Sequence, residues 1–233
     1  MEPILLAGYP LGSSLGLVAA FEWLGQPYRV ARVEMPADML TDAYARLNGR
    51  QETPVLITAE GALTETTAIA LWLEARDRER RVSFEPGSRE ADRMHQYTAF
   101  LNTGFTGAFS PLWAALEMTG VNDEFRETLR TFGRGAVAER HRKLEAMIGD
   151  SDYLLGPRPT LADAVFVGVA RWADFHQAID AADYPKLQAL KERLTADPAV
   201  RFAKAIEDGE PVSTTAAMRG LVPLKEVLKT AAI

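Results

Sequence analysis

Two serine hydroxyls and three glycines lie together near the start of the chain, in residues 8–16 (GYPLGSSLG). The stretch follows a short apolar run and precedes residues typical of a helix. A glycine-rich turn before a helix N-terminus can bind phosphate, because free backbone N–H groups and the helix dipole favour an anion. A hydroxyl at the same place, on Ser13 or Ser14, can instead stabilise an anionic sulfur. The residue types alone leave both interpretations open.

The spacing and the context of the glycines disfavour the phosphate interpretation. Gly8, Gly12 and Gly16 are each four residues apart, whereas a dinucleotide fingerprint has the spacing GxGxxG. A dinucleotide fold also needs more parallel strands than the pattern of this chain provides. No GKS or GKT sequence is present for a phosphate loop. We therefore favour a site for a sulfur anion.

The composition limits the chemistry that the chain itself can supply. The 233 residues include no cysteine, which excludes disulfides, zinc–thiolate sites and redox cycles on a protein thiol. His95, His141 and His176 are not paired at ligand spacing, so no metal site is predicted. A thiol that reacts here must therefore arrive on a small molecule.

The charge and the hydropathy pattern indicate the class of protein. A net charge of −6 argues against nucleic acid or an anionic membrane surface as a partner. No window approaches the roughly 18 apolar residues of a membrane span, and the N-terminus lacks a basic-then-apolar secretion signal. The sequence predicts a cytoplasmic protein.

The elements that must position the serines alternate in the first third of the chain. Apolar runs predict strands, and apolar residues at helical spacing predict helices. The predicted order is βαβ followed by ββα, which indicates an α/β unit over residues 1–78. Its predicted strands are residues 4–7, 28–33, 54–58 and 62–63, and its predicted helices are residues 15–24 and 38–47 and one opening at 64–65.

A second unit, over residues 88–208, is predicted to be entirely helical. A charged segment with proline and glycine precedes it and is interpreted as a linker. Apolar positions from 125 to 147 keep helical spacing, and Thr160 with Asp163 has the pattern of a capping box. Two more helices are predicted at residues 185–195 and 198–206.

The extension over residues 209–233 has its own pattern. Apolar positions from 218 to 228 predict a short amphipathic helix. Such a helix could cover a pocket, contact a second subunit or simply pack against the protein.

Several motifs in this order resemble the glutathione S-transferase family, over about residues 4 to 207, with the bacterial beta class as the most similar. The motifs are residues 53–56 (TPVL), 63–69 (LTETTAI), 109–113 (FSPLW) and 159–164 (PTLADA), with a weaker similarity at Arg171 and Trp172. The resemblance implies a thioredoxin-like α/β domain followed by an all-α helical bundle, and a homodimer.

The resemblance also implies which residues bind glutathione. The backbone of Thr53, before a cis Pro54, would pair with the cysteinyl unit. Thr66 would bind the γ-glutamyl carboxylate at a helix N-terminus, and Glu65 its ammonium group. Arg50 would meet the glycyl carboxylate. Alternatively, Thr64 caps the helix and Glu65 only suits its first turn.

In this family the loop after the first strand activates the glutathione thiol, and the beta class uses a cysteine there. Ser13 stands at that position, with Ser14 second and Tyr9 third among the candidates. Lowering a thiol pKa by about two units requires roughly 2.7 kcal/mol of preferential thiolate stabilisation. One charge-assisted hydrogen bond and a helix terminus supply about that amount. Alternatively, either serine is simply the N-cap of the helix.

The resemblance places an electrophile pocket on the helical unit. Thr106 stands where the beta class has a histidine, so the pocket lacks that polar group. The residues that would line it are Leu11, Phe105, Thr106, Phe109 and Trp113. An aromatic stripe of this kind is more often part of a core.

These inferences predict a detoxifying glutathione transferase that activates the glutathione thiol for attack on a small hydrophobic electrophile, or uses it in peroxide or reductive chemistry. The alternative is a non-catalytic interaction module of the same fold. The altered turn at residues 50–52 and the missing histidine motivate that alternative.

Overall fold

The computed structural model describes residues 2–230. Met1 and residues 231–233, which belong to the predicted first unit and to the extension, lie outside the described residues. The strands are β1 (Ile4–Tyr9), β2 (Tyr28–Glu34), β3 (Val55–Thr58), β4 (Gly61–Thr64) and β5 (Met218–Leu221). The α-helices are α1 (Ser14–Leu24), α2 (Asp42–Leu47), α3 (Thr66–Glu74), α4 (Arg89–Ala99), α5 (Ser110–Glu117), α6 (Asp123–Met147), α7 (Leu161–Ala170), α8 (Trp172–Phe175), α9 (Pro185–Ala196), α10 (Pro198–Asp208) and α11 (Leu224–Thr230).

The first unit is the predicted α/β unit, built on a sheet of strand order β4-β3-β1-β2-β5. β1 is parallel to β2 and antiparallel to β3, with Leu5 opposite both Val30 and Leu56. These three side chains are fully buried, as the apolar runs predicted. Gly25 ends α1 in the left-handed conformation, with φ of 74°.

The extension corrects the sequence prediction. Residues 218–221 form strand β5, parallel to β2, and only the residues from Leu224 onward are helical. The prediction of one amphipathic helix over positions 218 to 228 is therefore wrong for residues 218–221. The N–H of Tyr28 donates to Ala217, and the N–H of Val222 donates to Val30. The edge of β2 thus offers backbone hydrogen-bonding partners to the extension. A helix over residues 218–221 would leave these partners unused.

The helical unit shares its main core with the first unit. Buried side chains form one contiguous cluster that runs from Leu5 in β1 to Met218 in β5 and includes α7. α1 packs directly on α7, where a Cβ on Gly16 would collide with the carbonyl of Ala164. Glycine is therefore required at this contact.

Two local features fix the start of the helical unit. The buried carboxylate of Asp77 accepts hydrogen bonds from the N–H groups of Val82 and Ser83, so the predicted linker is held in place. The predicted capping box at the start of α7 is confirmed, with Thr160 and Asp163 bonded reciprocally. None of the helices within residues 2–230 has the length and apolar character that crossing a membrane requires.

Candidate functional site

The Ser13 loop, residues 10–13, connects β1 to α1 in an unusual backbone conformation. The Tyr9–Pro10 peptide bond is cis, and Leu11 has a φ of 61°. A positive φ on leucine costs free energy and is held only by its surroundings. A Cβ on Gly12 would collide with the carbonyl of Gly8, so the loop turns back tightly on β1.

The structure separates the two serines. Ser13 is the N-cap residue of α1, but its side chain makes no capping hydrogen bond within the described residues, and it is partly exposed. Ser14 is 1% exposed, and its Oγ has no hydrogen-bond partner among the described residues. It lines a small cavity behind the loop with Arg32 and Glu207. Ser13 is therefore the serine available to a ligand.

Tyr9, the third candidate, lies at the end of β1. The guanidinium of Arg32 stacks 3.9 Å from the centroid of its ring. The strand register places Tyr9 beside Glu34.

Three side chains from the helical unit hold the Ser13 loop. Glu207 Oε1 accepts a hydrogen bond from the N–H of Leu11 at 2.6 Å. Arg171 Nη2 donates to the carbonyl of Gly12 at 2.8 Å, and Trp172 Nε1 donates to the carbonyl of Leu11 at 2.8 Å. We call Arg171, Trp172 and Glu207 the loop clamp.

Thr53 lies against Gly8, near the end of β1 from which the Ser13 loop starts. The Thr53–Pro54 bond is cis, as the motif implied. A Cβ on Gly8 would collide with Thr53 Oγ1, which donates to the sulfur of Met35 at 3.2 Å. The described part of the chain supplies no hydrogen bond to the backbone N–H or carbonyl of Thr53, so both groups are available to a ligand.

Glu65 and Thr66 lie at the N-terminus of α3. Glu65 has a φ of 76°, and its side chain, like that of Ser13, caps no described N–H group. The first N–H groups of a helix have no partner within it, which leaves those of Thr66 and Thr67 for an anion. Glu65 is exposed and forms an ion pair with Arg50, which also pairs with Glu52. The structure thus brings together two residues that the sequence assigned to opposite ends of glutathione.

The predicted electrophile pocket needs correction. Phe105 and Phe109 are fully buried and pack edge to face in the core, with centroids 6.0 Å apart, so neither lines an open pocket. Burial also lowers the pKa of the neighbouring His141 to about 4. The hydroxyl of Thr106 donates to the carbonyl of Leu101. Sequence reasoning took an aromatic stripe as pocket where it forms core.

Trp113 and Leu11 are placed differently. Trp113 is partly exposed and contacts Trp172 at 5.4 Å and Phe175, on which it stacks, at 5.4 Å. Trp172 links this aromatic group to the carbonyl of Leu11. Sequence reasoning noticed Trp172 as a weak similarity but gave it no place at the site. It missed Phe175 and Glu207 altogether.

No group of three or more potential metal ligands is present within residues 2–230. The charged side chains of Arg171 and Glu207 contact the Ser13 loop, but they pair with each other as part of the loop clamp.

Family models match both units. Residues 14–76 match the model described as "Glutathione S-transferase, N-terminal domain", and residues 105–198 match "Glutathione S-transferase, C-terminal domain". The chain is 26% identical to glutathione S-transferase GST-4.5 of Xanthomonas campestris pv. campestris, over 85% of this chain and 96% of that protein.

Solved structures show the same fold. A glutathione S-transferase from Xylella fastidiosa matches with a TM-score of 0.79 and 22% identity, over 90% of this chain and all of the other. A sphingomonad glutathione S-transferase complexed with glutathione matches with a TM-score of 0.74 and 24% identity, over 88% of this chain and 98% of the other.

Proposed function

The chain belongs to the glutathione S-transferase family and is a glutathione transferase; we propose that it binds glutathione beside the Ser13 loop and that Ser13 stabilises the glutathione thiolate. The observation that carries this proposal is the pair of serines. The Ser13 hydroxyl is partly exposed at the start of α1 and makes no capping bond with a described residue, whereas Ser14 is enclosed.

Thr53 supplies the backbone contact in this proposal. Its N–H and carbonyl have no backbone partner in the described part of the chain and can form two antiparallel hydrogen bonds with the cysteinyl unit of glutathione, as in strand addition. Thr53 lies against Gly8, near the end of β1. This pairing therefore brings the sulfur to the end of the sheet where β1 stops and the Ser13 loop begins.

The γ-glutamyl end of glutathione is a zwitterion and fits the start of α3. The N–H groups of Thr66 and Thr67 can donate to its carboxylate, and Glu65 can accept from its ammonium group. Arg50 neutralises Glu65 when the ammonium group is not bound, since the two side chains form an ion pair. On binding, the ammonium group of glutathione replaces Arg50 as the partner of Glu65. Arg50 can then bind the glycyl carboxylate.

The reaction needs no protein nucleophile. The thiolate sulfur of glutathione attacks the electrophilic carbon, a C–S bond forms, and the leaving group departs with its electron pair. Ser13 donates a hydrogen bond to the sulfur, and the proton of the thiol goes to solvent. Thr106 supplies no general base, because a threonine hydroxyl does not take up a proton at neutral pH and this one donates to the carbonyl of Leu101. In peroxide or reductive chemistry, glutathione would supply every thiol, because the chain has no cysteine.

The electrophile would lie near Leu11 and the aromatic group of Trp113, Trp172 and Phe175. Phe175 is 52% exposed, and with the partly exposed Trp113 and Trp172 it offers an aromatic surface to an apolar ligand. In this proposal Phe105 and Phe109, which are buried in the core, no longer line the pocket. Exposed or partly exposed residues line it instead.

We also propose that the protein is a homodimer. This proposal rests on the family to which the chain belongs; Leu71 on α3, Leu116 on α5 and Phe132 on α6, which are at least half exposed, are its candidate interface residues. Phe132→Glu should convert the dimer to a monomer in sedimentation experiments. A wild-type monomer would contradict the proposal. A cytoplasmic location and a detoxifying role stay predictions.

Calorimetric titration with glutathione tests the proposed function. Glu65→Ala should weaken binding about 10- to 100-fold, the value of a charge-assisted hydrogen bond. Glu60→Ala is the matched control, because Glu60 is exposed on the β3–β4 turn of the same sheet. Wild-type protein that produces no heat and no thermal shift at millimolar glutathione would contradict the proposal and favour an interaction module.

A further inference from the structure

The loop clamp joins the Ser13 loop to parts of the chain that are distant in sequence. Arg171 and Trp172 follow α7, and Glu207 lies in the last turn of α10. Together they satisfy the N–H of Leu11 and the carbonyls of Leu11 and Gly12. Two consecutive loop residues are thus held through their backbone by side chains of the helical unit.

Glu207 is the centre of this arrangement. Its Oε1 accepts from the N–H of Leu11, and its Oε2 pairs with Arg171 Nη1 at 2.6 Å. The side chains of Glu207 and Arg171 are only 9% and 18% exposed, so water screens the pair little. Arg32 Nη2 donates to the backbone carbonyl of Glu207 at 2.9 Å and fixes the end of α10 against the sheet.

The Ser13 loop needs such support. Leu11 has the positive φ described above, and a non-glycine residue keeps this conformation only where contacts enforce it. Ser13 follows two residues later, and its carbonyl lies so close to α7 that a Cβ on Gly168 would collide with it. The loop is therefore fixed at Leu11 and Gly12 by the clamp and at Ser13 by α7.

We propose that Glu207, together with Arg171, is a positioning residue that sets the placement of the Ser13 hydroxyl from the helical unit. The inference rests on the proposed function of Ser13. Glu207 acts through the backbone of Leu11 and Gly12, so its contribution is to orientation and not to the charge of the ligand site. Thiol activation in the first unit then depends on the last turn of a helix in the second.

Substitution of Glu207 separates this role from glutathione binding. Glu207→Ala should raise the pKa of the bound glutathione thiol by about one unit, because the hydroxyl loses part of its alignment with the sulfur. The thiol pKa is measured from the ultraviolet absorbance of the thiolate. Glutathione affinity is measured at acidic pH, where every variant binds the protonated thiol, and should change less than about twofold.

Two further variants keep the test decisive. Glu207→Gln retains an oxygen that can accept from Leu11 and should give a smaller pKa increase than Glu207→Ala; it also serves if the alanine variant does not fold. Asp208→Asn is the matched control, since Asp208 is the next residue of α10 and pairs with Lys204 on the surface. A thiol pKa in Glu207→Ala equal to that of the wild type, or equal shifts in Glu207→Ala and Asp208→Asn, would overturn the inference.

Hydrogen exchange tests the clamp independently of glutathione. The amide of Leu11 should exchange at least tenfold faster in Glu207→Ala than in the wild type and Asp208→Asn, because its acceptor is lost. Unchanged exchange would show that Glu207 does not hold the loop. A wild-type protein that binds no glutathione would end the proposed function, whereas the exchange result would still decide whether the clamp exists.

Discussion

Two segments border the proposed glutathione site, and they are supported in different ways. The Ser13 loop is held by a few directional interactions from the helical unit, centred on Glu207. The backbone of the Glu52 turn, residues 48–53, is held by hydrogen bonds from residues of the first unit. Tyr44 Oη and Asn48 Nδ2 each donate to the carbonyl of Glu52 at 2.8 Å.

Apolar packing supports the Glu52 turn from behind. Tyr44 of α2 is fully buried in a second, smaller core cluster beneath the outer face of the sheet. Val227 of α11 is 2% exposed and belongs to the same cluster. The extension thus supports the Glu52 turn indirectly, by packing with Tyr44 of α2. The loop clamp, in contrast, hydrogen-bonds directly to the Ser13 loop.

This difference indicates that the Ser13 loop and the Glu52 turn have separate roles. A catalytic hydroxyl must be held to a fraction of an ångström, which directional bonds to a strained backbone provide. A segment that presents Thr53 for backbone pairing needs a stable average position, which packing provides. Changes at the loop should therefore alter thiol activation, and changes at the turn should alter glutathione affinity.

Removal of the Ser13 hydroxyl is expected to have the largest effect. Ser13→Ala should raise the pKa of the bound thiol by about one to two units and lower kcat/KM about tenfold at neutral pH, because the thiolate loses its hydrogen-bond donor and keeps only the helix N-terminus. Ser14→Ala should stay close to wild type, since Ser14 is buried away from the ligand side. If the two variants lost activity equally, the assignment of the loop to thiol activation would be wrong.

Acidification should weaken the helical unit through His141. Burial lowers its pKa to about 4, so the unfolded chain binds more protons between pH 6.5 and 4 and stability falls as the pH falls. Such a shift corresponds to at most about 3 kcal/mol. Asp163 offsets most of this loss, because burial raises its pKa to about 6 and its sign is opposite.

Because the two contributions nearly cancel, we expect a net loss below about 1 kcal/mol from this pair over that range. The contribution of His141 alone is the difference in pH dependence between the wild type and His141→Gln in urea unfolding. Parallel curves for the two proteins would show that folding leaves the pKa of His141 unchanged.

Val227→Ala should weaken the support of the Glu52 turn. Loss of two buried methyl groups should lower the free energy of unfolding by about 1–2 kcal/mol. The KM for glutathione should rise, with the pKa of the bound thiol unchanged. Lys225→Ala, an exposed change on the same helix, is the control. An altered thiol pKa in Val227→Ala would mean that the two segments are not independent.

Tyr44→Phe is expected to have the smallest effect, because Asn48 still donates to the carbonyl of Glu52. Loss of one hydrogen bond should cost about 1 kcal/mol of stability and raise the KM for glutathione a few-fold. Tyr184→Phe removes a similar bond, to the carbonyl of Ala138, in the helical unit. Equal changes in KM in both variants would point to a general loss of stability.

Much of the first unit could be predicted from the sequence, because its signals are local. Apolar runs marked β1 to β4, and the side chains of Thr160 and Asp163 marked the start of α7. β5 could not be predicted, because four residues with mixed polarity indicate a strand only when an open edge lies beside them.

The site was predictable in part for the same reason. Thr53 and Glu65 belong to motifs that can be read locally, whereas the loop clamp joins residues far apart in the chain. No local pattern distinguishes Glu207 from Asp208, the other acidic residue of α10. Phe105 and Trp113 were given the same role, since spacing on one segment does not reveal which side the core covers.

The position of β5 has a consequence for the order in which the chain can fold during synthesis. The first unit is translated early, yet the edge of β2 stays unpaired until residues 218–221 have left the ribosome, after the whole helical unit. An unpaired strand edge can pair wrongly with other chains. A nascent chain that stalls within the helical unit would therefore expose the unpaired edge of β2, which is prone to aggregation. Such chains should depend on chaperones more than the finished protein does.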